Sequence, residues 1–185
     1  MQIRKATPED TEAIALLFML VMDSMVYRFI GEKDVHKGIS FFQKFIQQKN
    51  NQYSYQNCDV AIEDNEVVGV INIYDGALLQ KLRQPVLDYI HEHNNPKFII
   101  EDETQYGEFY IDVLAVKSLY QGKGIGSRLL EHAIQEFCVE QHKTLGLLVD
   151  EINPNAKKLY LKCGFKKVGE KPLSSHNMEH LQLKI

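Results

Sequence analysis

Alternating and periodic apolar residues divide the chain into short strands and amphipathic helices. Stretches rich in β-branched and aromatic residues predict strands at 1–5, 58–63, 67–74, 109–116, 144–149, 165–168 and 178–185. Apolar residues at helical spacing predict helices from Thr7 to beyond Met25, at about 33–49, from Ile125 to Cys138 and at 154–161. Asp64 and Asn65 separate two of the strands and predict a β-hairpin. Gly69, within the second of these strands, predicts a bulge or a close approach of another segment.

The segment between Gly76 and Gly107 is longer than a connection between neighbouring strands requires. A structureless loop of this length is uncommon in a compact domain. Apolar residues recur there at helical spacing, so we expect a helix that is kinked or split at Pro85. Two interpretations remain open. The segment is an insertion without a binding role, or it forms a wall of a substrate site, because it leads directly into the strand at 109–116.

The stretch 108–130 predicts a strand, a tight glycine-rich turn and a helix. The strand is apolar and aromatic except for Asp112, which suits a strand buried on both faces. Gly122, Gly124 and Gly126 follow at alternate positions, and the helix begins among them. Backbone amides that converge without Cβ atoms at the positive end of a helix form a site for phosphate or pyrophosphate.

A glycine-rich turn of this kind has three other interpretations besides an anion site: a turn without a ligand, a dinucleotide-binding fingerprint and a P-loop. A glycine-rich turn from strand to helix also occurs without any ligand. A dinucleotide-binding fingerprint is disfavoured, because the spacing is GxGxG and not GxGxxG, although Asp150 lies near the expected offset of about 20 residues. A P-loop is excluded, because only three residues separate Gly122 from Gly126 and the next residue is Ser127, without the lysine of that motif.

Two motifs resemble those of the GCN5-related N-acetyltransferases, the GNAT family. Gln121, Gly124 and Gly126 fill the defined positions of the acetyl-CoA signature Q/R-x-x-G-x-G/A. The stretch 153–165 is similar to the family's Asn-x-x-Ala-x-x-Leu-Tyr-x-x-x-Gly-Phe. Both motifs stand in the family's order, and the resemblance is strongest from 108 to 168.

The resemblance implies a fold of the α/β (α+β) class. A central twisted sheet of about six to seven strands, mixed but mostly antiparallel, is expected with helices on its faces. The chain is expected to form one domain, 1–185, in which 76–107 is a helical insertion near the acceptor site and before the cofactor-binding strand.

The resemblance also implies that acetyl-CoA is the co-substrate and names the residues that would hold it. The signature turn would bind the pyrophosphate through Gln121, Gly122, Lys123, Gly124, Ile125, Gly126 and Ser127. The backbone of the strand would pair with the pantetheine arm at Leu114, Ala115 and Val116. Asn153 would donate a hydrogen bond to the same arm.

Tyr160 is implied to be the acid that protonates the leaving thiolate. A phenol has a pKa near 10, close to the value of about 8.5 for a thiol. The alternative is a core tyrosine that packs between Leu159 and Phe165.

The base that removes a proton from the amine has two candidates, Glu108 and Asp112. They are four residues apart on one strand, so both side chains lie on one face unless a bulge intervenes. Asp112 is the one charged residue among apolar neighbours and therefore needs a partner or a task. Either carboxylate would bind the substrate ammonium or pass its proton to water. The alternative for Asp112 is a structural bond to the backbone or to a lysine.

Composition limits the partners and the location. A net charge of −4 argues against a nucleic-acid surface. No uninterrupted run of about 18 apolar residues occurs, so we expect no transmembrane helix and no membrane partner. The three cysteines and seven histidines are scattered, which predicts neither a disulfide framework nor a metal site. A reducing, cytoplasmic location follows, and a homodimer remains possible.

Two functions from different classes remain. The first is an acetyl-CoA-dependent N-acetyltransferase that acts on a primary amine of a small molecule or peptide by direct attack in a ternary complex. The negative net charge of the chain and its candidate carboxylates favour a cationic acceptor such as a polyamine, an aminoglycoside or an amino acid. The second is a catalytically idle domain that binds or senses acyl-CoA. The presence of Tyr160 and Asn153 favours the enzyme, because binding alone needs no acid.

Overall fold

A central sheet organises the structure, a computed structural model that describes residues 1–173 and 176–185. Its strands are β1 (Gln2–Lys5), β2 (Cys58–Glu63), β3 (Glu66–Asp75), β4 (Phe109–Val116), β5 (Leu145–Asp150), β6 (Lys166–Leu173) and β7 (His176–Leu183). Within the described residues the sheet has seven strands in the order β1-β2-β3-β4-β5-β7-β6. Neighbours pair antiparallel, except that β4 and β5 are parallel. The predicted mixed, mostly antiparallel sheet is confirmed.

Helices cover both faces of this sheet. They are α1 (Thr11–Ile30), α2 (Val35–Ile46), α3 (Leu79–His93), α4 (Ile125–Ala133) and α5 (Pro154–Lys162). A π-helical segment, Ile134–Glu140, continues α4. Two buried clusters result. One packs α1 and α2 against β2, β3 and β4, and the other packs α4 and its continuation against the opposite face.

The α1 helix is long and apolar enough, together with the turn before it, for Pro8–Ile30 to pass a test for crossing a membrane by length and composition. A core helix passes the same test. Its buried residues are Ile14, Ala15, Leu17, Phe18, Met22, Val26 and Phe29. Leu16, Leu20 and Val21 of the same helix are exposed, so packing in the core accounts for only part of its apolar composition.

The hairpin between β2 and β3 forms where the sequence predicts it. Asp64 and Asn65 both have positive φ, 49° and 62°, as a tight hairpin turn requires. The register shifts beside Ala61, so β3 holds a bulge next to Gly69. A Cβ on Gly69 would lie 3.1 Å from the Ile125 and Leu129 side chains, so this glycine also lets α4 approach the sheet.

The helix predicted within 76–107 is present, but it runs without a break through Pro85. Its buried face consists of Leu79, Arg83, Val86 and Ile90. Two residues depart from a simple apolar pattern, because Leu78 precedes the helix and is exposed, whereas the charged Arg83 is buried. The chain after the helix crosses α1, where the Asn94 amide donates to the Phe29 carbonyl at 2.8 Å.

The parallel strands β4 and β5 separate soon after they meet. They pair at Phe109 with Leu145 and at Tyr110 with Gly146. Beyond Tyr110, no strand of the described residues pairs with β4 on its β5 side. The sheet therefore opens at its centre, and the polar groups of the β4 backbone along that edge are available to a ligand.

Candidate active site

The glycine turn ends in the first turn of α4. Gly122 and Gly124 have φ of 76° and 82°, in the left-handed region that suits glycine, and Gly124 caps the helix. In the first backbone hydrogen bond of the helix, the Arg128 N–H donates to the Gly124 carbonyl at 3.1 Å. The amides before Arg128 therefore lack an acceptor within the helix, as at every helix start. Together with the positive end of the helix dipole, these amides give the turn the arrangement that an anion site requires.

Side chains of the turn fix its position and add charge. The Gln121 amide donates to the Val116 carbonyl at 3.1 Å, which ties the turn to the end of β4. The Lys123 ammonium lies 4.6 Å from the centre of the Tyr120 ring. Arg128 is exposed beside the turn. Both cations would favour a bound pyrophosphate.

The α5 helix connects the turn with a cavity in the open sheet. A Cβ on Gly126 would lie 3.5 Å from Leu159 and 3.9 Å from Val116, so the turn packs directly against α5 and β4. Asn153 caps α5, with its Oδ1 accepting from the Ala156 N–H at 3.2 Å. The Asn153 amide nitrogen is left as a donor at the cavity.

The cavity has a volume of about 250 Å³ and occupies the gap between β4 and β5. Helix α1, the segment 98–103, both strands and α5 supply its walls. The residues that line it are Val21, Met22, Met25, Arg28, Phe29, Gln52, Tyr53, Phe98, Ile99, Ile100, Glu101, Glu103, Tyr110, Asp112, Val113, Leu114, Leu148, Asn153, Ala156, Tyr160, Leu173 and Met178. Of the candidate residues, the cavity joins Asp112, Tyr160, Asn153 and Leu114.

Asp112 lies at a bulge of β4. The register shifts between Asn72 paired with Val113 and Ile73 paired with Ile111, which leaves Asp112 as the extra residue. Its side chain keeps part of its surface open to the cavity, but Oδ2 is buried and has no hydrogen-bond partner among the described residues. A bulge that directs a carboxylate into a cavity is common beside active sites.

The surroundings of Asp112 disfavour its charged form. Burial raises the pKa of Asp112 to about 8, and the negative charge of Glu103 contributes to the rise. A hydrogen bond from Gln52 and the positive charge of Arg83 oppose this shift. A carboxyl group with such a pKa can accept a proton near neutral pH.

A buried ion pair borders the same cavity. Glu103 accepts from the Tyr74 hydroxyl at 2.7 Å and pairs with the Arg83 guanidinium. The guanidinium also donates to Asp102 at 2.6 Å and to the Ile100 carbonyl at 3.2 Å. Burial would lower the pKa of Arg83, but the Glu103 carboxylate raises it. This network holds the segment 98–103 against β3 and β4.

Glu108, the other candidate base, lies outside the cavity lining. Thr104 donates to it at 2.7 Å, His180 at 2.8 Å and Gln182 at 2.7 Å. Burial would raise the pKa of Glu108, but these hydrogen bonds more than offset burial and lower it. A fully bonded carboxylate with a lowered pKa is a poor base, and the geometry favours a positioning role. Of the two candidates, Asp112 lies at the bulge and lines the cavity, whereas Glu108 precedes β4 and does not line it.

Tyr160 projects from α5 toward the cavity. Its ring meets Phe165 edge-on with centroids 6.0 Å apart, and its hydroxyl has no hydrogen-bond partner among the described residues. Burial raises the pKa of Tyr160 to about 12, with a contribution from Cys163. The phenol therefore stays protonated at neutral pH. The difference between the pKa of Tyr160 and that of a free thiol is therefore wider than the difference between a free phenol and a free thiol.

Several cavity residues carry no sequence motif. Gln52 and Tyr53 follow α2 in the chain and line the cavity, whereas α2 itself does not. Arg83 and Glu103 are recognisable only together, as opposite charges 20 residues apart that meet in the fold. The sequence has three acidic residues in a row at 101–103, but no pattern among them indicates that Glu103 is the buried one.

Histidines and carboxylates gather at two places away from the cavity. Asp59, His132 and Glu136 have ligand atoms within 4.8 Å of one another, as do Glu151, Glu170 and Glu179. Lys5 already lies 3.0 Å from Asp59 and 2.9 Å from Glu136. Lys157 and Lys167 pair with Glu179 at 2.6 and 3.0 Å. Lysine ammonium groups therefore balance both clusters.

Comparisons with known proteins agree with this geometry. The family model described as acetyltransferase (GNAT) family matches residues 25–165. An N-acetyltransferase of Staphylococcus aureus Mu50 is 28% identical, with a TM-score of 0.87 over 99% of this chain and 100% of that chain. A second solved acetyltransferase is 31% identical, with a TM-score of 0.84 over 100% of both chains.

A curated relative matches over a shorter stretch. An acetyltransferase of Agrobacterium fabrum strain C58 is 36% identical over 73 residues, which are 39% of this chain and 52% of the relative. The chain thus matches about half the length of that relative.

Proposed function

This chain belongs to the acetyltransferase (GNAT) family, and on that premise we propose that it moves an acetyl group from acetyl-CoA to a primary amine in a ternary complex. One observation carries the proposal. The gap between β4 and β5 joins the glycine turn at one end to a cavity at the other, in which the Oδ2 atom of Asp112 has no hydrogen-bond partner among the described residues. A long thioester with a pyrophosphate and an amine acceptor would meet in this gap.

The turn and the open strand edge would hold acetyl-CoA. The amides from Gly122 to Ser127 would bind the pyrophosphate, with Gln121 fixing the turn. The free edge of β4 at Leu114, Ala115 and Val116 would pair with the pantetheine arm, as a further strand would. A backbone N–H on this edge would also polarise the thioester carbonyl. The Asn153 amide nitrogen would donate to the arm, since its oxygen already caps α5.

Asp112 is our choice for the base. The ammonium would give one proton to the Asp112 carboxylate, and the neutral nitrogen would attack the carbonyl carbon. A C–N bond forms, the C–S bond breaks, and the nitrogen loses its second acidic proton. Tyr160 would donate a proton to the departing sulfur and recover one from solvent. The balance is an amide, free CoA thiol and one released proton.

The high pKa of Tyr160 is compatible with this donation. The thiolate would form in the same water-poor gap, where burial raises the pKa of a thiol too. Proton transfer then becomes favourable only as the C–S bond breaks. Before that point the phenol acts as a hydrogen-bond donor to the sulfur.

The proposal extends to the organisation of the chain. All 185 residues would form one domain, with 76–107 as a wall of the acceptor site, because Glu103 and the residues before it line the cavity. The free cysteines Cys58, Cys138 and Cys163 suit a reducing, cytoplasmic location. A homodimer remains part of the hypothesis. No step requires a metal ion.

The test is amine-dependent thiol release, with the acetylated product identified by mass spectrometry. Purified protein would be incubated with acetyl-CoA and a panel of amines. Release that needs both protein and amine, together with a product 42 mass units heavier (one acetyl group for one proton), supports the transferase. Acetyl-CoA binding without release for any amine would favour the acyl-CoA-sensing alternative.

A further inference from the structure

The floor of the cavity carries two hydrogen-bond acceptors without donors. Asp112 Oδ2 and Gln52 Oε1 are buried and have no partner among the described residues. Both side chains line the same cavity. A buried acceptor without a donor is unfavourable, so the site suits a ligand that supplies N–H groups. A primary amine can donate to both acceptors at once.

The other buried charges near this floor are already balanced. Glu103 is paired with Arg83 and bonded by Tyr74, and Arg83 also meets Asp102. Asp112 is thus the carboxylate left over for a ligand within the described part of the cavity. This single carboxylate can bind one ammonium group of a ligand.

The walls above the floor are apolar. Helix α1 contributes Met22, Met25 and Phe29, and the facing segment contributes Phe98, Ile99 and Ile100. At the mouth, Arg28 and Glu101 are both exposed and have opposite charges, so the rim has no net negative charge. A second ammonium on the acceptor would have to leave water against this wall, which is costly without a partner.

The cavity is also small. Its volume of about 250 Å³ lies below the usual range of roughly 300–1,000 Å³ for ligand sites. This volume favours a short aliphatic or phenylalkyl chain over a branched, multiply charged aminoglycoside.

We propose, resting on the proposed function, that the acceptor is a small primary monoamine with an apolar alkyl or aromatic body, whose nitrogen binds Asp112 and Gln52. The methionines and phenylalanines hold the carbon body. This narrows the sequence-based range of cationic acceptors and removes polyamines and aminoglycosides from it.

A matched pair of acceptors tests the inference. Pentylamine and 1,5-diaminopentane share one carbon chain and differ by a second amino group. We expect kcat/KM for pentylamine to exceed that for the diamine by about tenfold or more, equivalent to about 1.4 kcal/mol. Equal or better turnover of the diamine would overturn the inference.

A variant pair tests the role of the apolar wall. Met25→Asp places a second carboxylate on the wall, and Met25→Asn has the same size without the charge. The aspartate variant should lower the preference for pentylamine by about tenfold relative to the asparagine variant. KM for acetyl-CoA reports whether each variant is folded. An unchanged ratio in a folded Met25→Asp variant would contradict the assignment of this wall.

Direct binding separates the inference from the proposed function. Calorimetry of both amines, with CoA present, needs no acetyl transfer. Pentylamine binding tighter than diamine binding, without thiol release for any amine, would support the monoamine site and overturn the transferase. Absence of pentylamine binding together with absence of turnover would overturn the monoamine site.

Discussion

The side chain of Glu108, the residue before β4, fills the space beside Gly146 of β5 where a Cβ would otherwise lie. A Cβ built on Gly146 would overlap the Glu108 carboxylate. Gly146 pairs with Tyr110 at the last position where β4 and β5 meet. The glycine thus lets a buried carboxylate sit where the sheet begins to open, and Glu108 there binds the segment before β4 through Thr104 and β7 through His180.

Gly146→Ala should destabilise the fold by overpacking. We expect a loss of about 1–3 kcal/mol, which lowers Tm by roughly 2–4 °C per kcal/mol for a chain of this length. Gly169→Ala is the control, because a Cβ there meets nothing within 4 Å. Adding Glu108→Ala to Gly146→Ala should restore part of the packing. Equal Tm for the two alanine variants would contradict the shared space.

Glu108→Gln distinguishes a positioning residue from a base. It keeps the shape but removes the charge that His180 and Gln182 bind. We expect kcat to fall by less than about tenfold with the pH dependence of kcat unchanged, since a base would contribute about 100-fold or more. Loss of the alkaline rise in kcat would instead make Glu108 the base.

Glu108 also links stability to acid pH. Its folded-state pKa is lowered, so the folded state holds its charged form more strongly than the unfolded chain does. That stability is present above the unfolded pKa near 4.5 and is lost as pH falls through the lower folded pKa. Acid titration followed by circular dichroism should show the parent losing more stability below pH 4.5 than Glu108→Gln does. Parallel curves would exclude this contribution.

Asp112→Asn should lower the activity and raise the stability of the protein. The base must be unprotonated, so parent activity should rise as pH increases through about 8, and the variant should lose most of it. The sign for stability is opposite to that of Glu108. A raised folded pKa means that the parent loses stability as pH rises from the unfolded value of 3.8 to about 8.

The asparagine cannot ionise and escapes this loss. The Tm gain of Asp112→Asn over the parent should therefore be larger near the upper end of that window, by about 2 °C or more, which corresponds to roughly 1 kcal/mol. Differential scanning fluorimetry across pH measures it. A gain that is independent of pH would show that Asp112 is neutral or charged in both states alike.

Gly124→Ala tests the anion-binding turn. Alanine at a φ of 82° costs about 1–2 kcal/mol, and it distorts the amides at the start of α4. We expect KM for acetyl-CoA to rise about tenfold, since 1.4 kcal/mol is one factor of ten. Gly31→Ala imposes similar strain at a φ of 75°, at the end of α1 and away from the turn. It should lose stability with no change in KM, and a similar rise in both variants would refute the turn's role.

Local patterns were enough to predict the frame of this molecule. The Asp64-Asn65 turn, the glycine turn and the start of α5 at Pro154 each depend on a few consecutive residues, and each forms where the sequence indicates. The open gap between β4 and β5 was not predicted, because the point where the pairing of these strands ends depends on contacts between segments far apart in the chain.

Side-chain contacts between residues far apart in the chain could not be predicted from the sequence. Glu108 and Asp112 looked equivalent, because their difference depends on His180 and Gln182, more than 70 residues away along the chain. No sequence pattern marks Arg83 as buried, since its carboxylate partner Glu103 is brought to it by the fold. Such contacts have no periodicity and cannot be found by spacing alone.

Thiol release by the parent and by Tyr160→Phe, measured side by side with acetyl-CoA and pentylamine, tests the central claim most directly. The phenylalanine keeps the ring contact with Phe165 and removes only the hydroxyl. We predict amine-dependent release by the parent and a kcat lower by about 100-fold or more in the variant, the scale of a general acid, with KM for acetyl-CoA unchanged. Equal rates in the two proteins, or no amine-dependent release by the parent, would contradict the account.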